Sequence, residues 1–176
     1  MAPSSVVETL AKWLATLGGV ALCAIIIVTL LSVAGRSLIA IGLAPIQGDF
    51  ELIEAATAFA VFAFLPWCQL KRGHVSVDIA TRFLGPRTNL FIDAVADSLM
   101  LAFTLLITWR HLAGMIDKKM NGETTFILQF PVWWSYAAGM AGLAVLVIVS
   151  AYCFQRSWTK LFAARGPDRA ENGSAP

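Results

Sequence analysis

The chain has 176 residues, of which 58% are hydrophobic and only 14% charged, with a mean hydropathy of +0.73. Soluble domains carry about 25% charged residues, so this composition excludes an ordinary soluble fold and describes an all-α integral membrane protein. The formal net charge of +2 is too small to point to nucleic acid, and the basic residues stand at the ends of apolar blocks.

Four blocks are long enough to cross a bilayer, which takes about 20 apolar residues in a helix. The first spans about 13–35, between Lys12 and Arg36, and contains no charge. Its apolar run exceeds the ~7–15 residues of a signal-peptide core, so an uncleaved first helix is expected. The second spans about 50–70 and opens on two carboxylates, Glu51 and Glu54. These lie three residues apart on one helix face, about 4.5 Å along the axis. A carboxylate at a helix N-terminus opposes the positive end of the dipole. That reading suits Glu51 better than Glu54, which sits nearly a turn deeper, where an unpaired charge costs more. Pro66 either kinks this helix or marks its end.

After the second block comes the basic loop Lys71-Arg72-Gly73-His74. Residues 75–84 then alternate apolar and polar side chains and predict a short amphipathic helix on the membrane surface, ended by Gly85-Pro86. His74 and Asp78 are spaced for pairing on one helical turn, or serve only to position that surface helix. The third block, about 89–109, contains Asp93 and Asp97 on one face. Asp97 lies about 12 Å into the membrane at 1.5 Å per residue, so it should point into a bundle. Pairing with a polar group is the favoured role for Asp97, with proton or sodium binding as the rival. The fourth block runs about 131–153, with Pro131 suited to a first helical turn. Residues 156–176 read as a polar, disordered tail.

Lysines and arginines fall nine on the side of the termini and four on the other, which predicts cytoplasmic N- and C-termini. All six tryptophans lie near block ends, as interfacial indoles do. Cys23, Cys68 and Cys153 form no CxxC pair and are expected to be small apolar packing residues. No hydrolase or phosphate-binding motif is present, and the two histidines, His74 and His111, fall on opposite faces of the membrane in this topology. No catalytic residue, cofactor or metal site is expected.

Three segments, GDFELIE at 48–54, FLPWCQLKRGHVSVD at 64–78 and GETTFILQFPVWWSY at 122–136, resemble the small membrane subunit (DctQ type) of tripartite ATP-independent periplasmic (TRAP) transporters. The resemblance covers most of residues 13–155. It implies a chain of the bacterial inner membrane that braces a large permease subunit. Such a chain helps dock a periplasmic substrate-binding protein for sodium-coupled uptake of an organic acid. Its partners would be those two proteins and membrane lipid, and the substrate and ion sites would lie elsewhere. Arg36, Glu51 and Glu54 then become candidates for subunit or binding-protein contact, and Arg72, Gly73, His74 and Asp78 for packing against the large subunit. Asp97, together with Thr125, Pro131 and Trp133 in the third segment, completes the candidate interface. Two other readings stay open: a stand-alone four-helix proton-coupled exporter using Glu54 or Asp97, and a membrane assembly factor without a transport role.

Overall fold

The computed structural model describes residues 3–71 and 86–163. The surface helix expected over 75–84, and with it Arg72, Gly73, His74 and Asp78, lies outside the described residues, as do residues 164–176.

Among the described residues there are four long helices and no strand: α1 (Pro3–Ser37), α2 (Asp49–Leu70), α3 (Pro86–Met120) and α4 (Trp133–Ala163). All four are long and apolar enough to cross a membrane. A short 3-10 turn, Ile39–Ile41, follows α1. The packed pairs are α1 with α2, α2 with α4 and α4 with α3, with a lighter contact of α1 on α4 and no comparable α1–α3 interface. Across the bundle the order is therefore α1, α2, α4, α3. α4 is the most enclosed helix. Its buried positions Gly139, Gly142, Leu143, Leu146, Val149, Ser150, Cys153, Ser157 and Leu161 recur every three or four residues, one continuous stripe.

Three helices run past the apolar blocks that mark them in the sequence. α1 begins about ten residues earlier, α3 extends from Trp109 to Met120, and α4 continues from Cys153 to Ala163. The expected polar tail from 156 is thus helical for its first eight residues, because Ser157 and Leu161 prolong the buried stripe while Arg156 and Lys160 face out. In α3, Arg110, Lys118 and Lys119 end the hydropathy signal, yet lysine and arginine are good helix formers. The helix stops where backbone geometry stops it. Gly122 takes φ +64°, its N–H donates to the Lys119 carbonyl (3.3 Å), and the Glu123 N–H donates to the Lys118 carbonyl (3.3 Å). That pair of bonds is a Schellman cap.

α4 starts at Trp133, two residues later than expected. Pro131 sits outside the helix in an isolated bridge with Thr124, and its carbonyl accepts the Trp134 N–H at 3.1 Å. α2 passes through Pro66 and ends at Leu70. Proline lacks the N–H that would bond the carbonyl four residues back, so the Phe62 carbonyl loses its helical partner. Gly142 packs on that same carbonyl: a Cβ there would lie 2.7 Å from the Phe62 oxygen. The carbonyl left free by the proline of one helix is thus the one on which the glycine of its neighbour packs.

Polar links join neighbouring helices within the apolar bundle. Ser32 on α1 donates to the Asp49 carboxylate on α2 at 2.6 Å, and Asp49 also accepts the Phe50 N–H at 2.9 Å. Between α3 and α4, the Ser157 hydroxyl donates to the Asp97 carboxylate, the Trp158 indole N–H donates to Ser98 Oγ (3.1 Å), and Thr104 meets Ser150 (3.4 Å). Asp97, Ser157, Thr104 and Ser150 are all buried. Such bonds satisfy groups that lipid cannot.

Candidate functional site

The clearest concave site lies at the loop end of the bundle, where α2 begins and the connection from α3 to α4 folds over it. The backbone of that connection is a tight loop. Thr125 N–H donates to the Phe130 carbonyl at 2.9 Å and Phe130 N–H returns to Thr125 Oγ1 at 3.2 Å. Gln129 holds φ +55°, and its side-chain amide donates to the Phe126 carbonyl at 2.9 Å. This geometry turns the N–H groups of Ile127 and Leu128 toward α2. Glu51 accepts both, Oε1 from Ile127 at 2.6 Å and Oε2 from Leu128 at 2.8 Å. A carboxylate gripping two successive backbone N–H groups is a charge-assisted clamp. Gly48, at φ +78°, must be glycine for a second reason: Leu128 Cγ would lie 2.5 Å from a Cβ there.

Below the clamp is a cavity of about 300 Å³ lined by Glu51, Glu54, Thr125, Phe130, His111 and Tyr136, among others. Glu54 is exposed and is the carboxylate on this wall not taken up by the loop. On the opposite wall His111 Nε2–H donates to the Tyr136 carbonyl at 3.0 Å, its ring stacks on Tyr136 (4.9 Å between centroids) and meets the edge of Phe62 at 5.0 Å. The site is therefore one carboxylate facing an aromatic wall near the membrane boundary. Among the described residues no group of three or more His, Cys, Asp or Glu side chains is placed to hold a metal ion.

The structure brings together Glu51, Glu54 and Thr125 from the residues singled out in the sequence, with Pro131 in the same loop. Trp133 opens α4 nearby, with Lys119 Nζ 5.2 Å above its ring and Trp134 edge-on at 6.2 Å. Arg36 is exposed in the last turn of α1. Asp97 lies toward the other end of the bundle, bonded to Ser157. His111, Tyr136 and Phe130 escaped the sequence reading. His111 falls just beyond the third block of about 89–109, whereas α3 carries it well inside a longer helix; the Asn121-Gly122 stop signal marks that extension.

A family model described as "Tripartite ATP-independent periplasmic transporters, DctQ component" matches residues 25–160. The chain belongs to the DctQ family. No significant match was found among curated proteins or solved structures. The matched span of this DctQ-family chain runs from the middle of α1 to near the end of α4, so it includes the clamp, the cavity and all three packed helix pairs. Members of the family are small membrane components of TRAP transporters, which work with a large permease and a substrate-binding protein.

Proposed function

We propose that this chain is the small membrane subunit that braces the large permease of a TRAP transporter and contributes to the surface on which the substrate-binding protein docks, for sodium-coupled uptake of an organic acid. The observation that carries this reading is how the chain uses its own carboxylates. Asp49 and Asp97 are bonded to serines of neighbouring helices, and Glu51 holds the loop. These are the bonds of a scaffold. Carboxylates in or beside the membrane are costly unless paired, and these three are paired with groups of other elements, which they join.

The surfaces left over suit a partner. α1 turns Ile27 and Leu30 outward in the half toward the loop end, and α3 does the same with Leu99, Phe103 and Trp109. At the loop end Phe126 is 93% exposed on a tip whose backbone Glu51 holds rigid. Arg36, Glu54 and Trp133 surround the same end, and Asp97 acts indirectly by holding α4 on α3. Under this reading the loop end faces the periplasm and both termini the cytoplasm.

The test is co-purification. Affinity-tagged chain should bring down a much larger permease encoded beside it, and Glu54→Lys should lower both the recovered permease and uptake. The reading is overturned if the tagged chain purifies as a monodisperse monomer that transports solute by itself.

A further inference from the structure

A second cavity, of about 540 Å³, lies at the terminus end between α1 and α2, lined by Glu8, Thr9, Lys12, Trp13, Thr16 and Trp67. Its depth is fixed by the sequence. The charge-free run of α1 begins at Trp13 and ends at Gly35, about 34 Å of helix against a hydrocarbon core of about 30 Å. Lys12 and Trp13 therefore stand at the level of the lipid headgroups on that side, and Trp67, near the end of α2, stands with them. Indole rings favour that zone.

The charges on the cavity do not cancel. Lys71 Nζ bonds Glu8 Oε1 at 2.8 Å and lies 4.7 Å from the Trp67 ring centroid, so the Glu8 carboxylate is already neutralised. Lys12 is exposed on the cavity wall and makes no ion pair among the described residues. Thr16 Oγ1 donates to the Lys12 carbonyl at 2.9 Å, so that hydroxyl is taken up by the helix, and the charged donor on this wall is the lysine ammonium. Among the described residues, two lysines against one glutamate leave a single positive charge between two indoles, in a hollow at headgroup depth.

We propose that this cavity binds the headgroup of one anionic phospholipid from the leaflet on the side of the termini. The phosphate diester would sit at Lys12 Nζ, with its acyl chains along the exposed apolar faces of α1 around Leu17 and Val20. The single negative charge of such a headgroup matches the single positive charge of the site. A water-soluble phosphate would gain nothing from the two indoles, which offer contact to the glycerol and upper acyl carbons.

The experiment uses the full chain in phosphatidylcholine vesicles containing either brominated phosphatidylglycerol or brominated phosphatidylcholine at equal mole fraction, read by tryptophan quenching. Stronger quenching by the anionic lipid is expected, with the extra component lost in a Trp13→Phe/Trp67→Phe variant. Lys12→Gln should weaken the preference about fivefold, the value of one lysine near an anionic surface, and Lys12→Arg should keep it. Lys160→Gln, which removes a charge at the same end but outside the cavity, should leave it unchanged. Equal quenching by both lipids in the wild-type chain overturns the proposal. So does an equal loss in Lys12→Gln and Lys160→Gln, which would mean diffuse surface attraction. Displacement of the lipid by soluble glycerol phosphate assigns the site to a free phosphate compound and also overturns it.

Discussion

Gly142→Ala tests the packing of α4 on α2 most directly. The added Cβ would stand 2.7 Å from the Phe62 oxygen, 2.8 Å from its carbonyl carbon and 2.9 Å from its Cβ. Two of these three atoms are backbone, so no rotamer change relieves the contact. Reaching ordinary contact at 3.4 Å requires α4 to move about 0.7 Å from α2, along the interface that holds the bundle together. Overpacking of this kind costs about 2 kcal/mol, while replacing a mid-helix glycine by alanine returns about 0.7 kcal/mol. The net loss is about 1.3 kcal/mol, roughly tenfold in the folding equilibrium. Gly19 supplies the control, since nothing lies within 4 Å of a Cβ there; Gly19→Ala should be neutral or slightly stabilising. Gly139→Ala should fall between, because its close neighbours are the side chains of Phe62 and His111, at 2.9 and 3.1 Å. Unfolding of the purified chain in mixed micelles, followed by near-UV circular dichroism, ranks the three variants. If Gly142→Ala unfolds together with Gly19→Ala, the close approach at Phe62 does not hold the helices, and the account of Pro66 and Gly142 meeting at one carbonyl fails with it.

Removing the Asp97 carboxylate leaves the buried Ser157 hydroxyl without this acceptor, so Asp97→Ala should lose about 1.5–3 kcal/mol, whereas Asp97→Asn keeps an acceptor oxygen and should lose much less. A double-mutant cycle with Ser157→Ala measures the pair, and additive losses would contradict the bond. Glu51→Gln keeps the shape of the clamp but drops the charge that grips the Ile127 and Leu128 N–H groups; amide exchange at those two residues should accelerate while exchange in α4 stays unchanged. Equal protection in the variant would show that the loop stands without Glu51. Gly122→Ala places a side chain at φ +64°, at a cost of about 1–2 kcal/mol, and should fray the last turn of α3 in hydrogen exchange. Unaltered protection there would remove the cap from the account.

The membrane-crossing architecture was legible because a long apolar run in lipid has to satisfy its own backbone groups, as a helix of about 20 residues does. Legibility failed where the helices leave the apolar zone. Residues 110–120 carry Arg110, Asp117, Lys118 and Lys119, which hide them from a hydropathy reading but do not disfavour helix, and the stop was written instead in Asn121-Gly122. Pro131 misled in the opposite sense, since a proline before an apolar block fits a first turn equally well as a loop bridge. At the site, the spacing of Glu51 and Glu54 showed that they share a face, but not that their tasks differ. That difference depends on the backbone of a loop 76 residues away, which orients two N–H groups at Glu51 and none at Glu54. Asp97 was legible as a buried, paired group from its depth alone. Its partner Ser157 was not, because the apparent end of the fourth block at Cys153 placed that serine outside the bundle.

The division between Glu51 and Glu54 also bears on why a transporter would retain a chain of this kind. The loop carries a 93% exposed phenylalanine at its tip, and its backbone is held in place by a carboxylate that could otherwise meet a partner. Glu54, one turn further along the same face, is left facing a cavity with an aromatic wall. Under the proposed function the two residues would divide the labour of one surface, Glu51 fixing the shape a partner meets and Glu54 presenting the charge. A partner that recognised only charge would tolerate Glu51→Gln, and one that recognised only shape would tolerate Glu54→Gln. Uptake that survives each single change but fails in the double variant would show that shape and charge act as independent contributions to one docking event. Loss in both single variants would place both in one cooperative contact. Full uptake in the double variant would remove this end of the bundle from the docking surface.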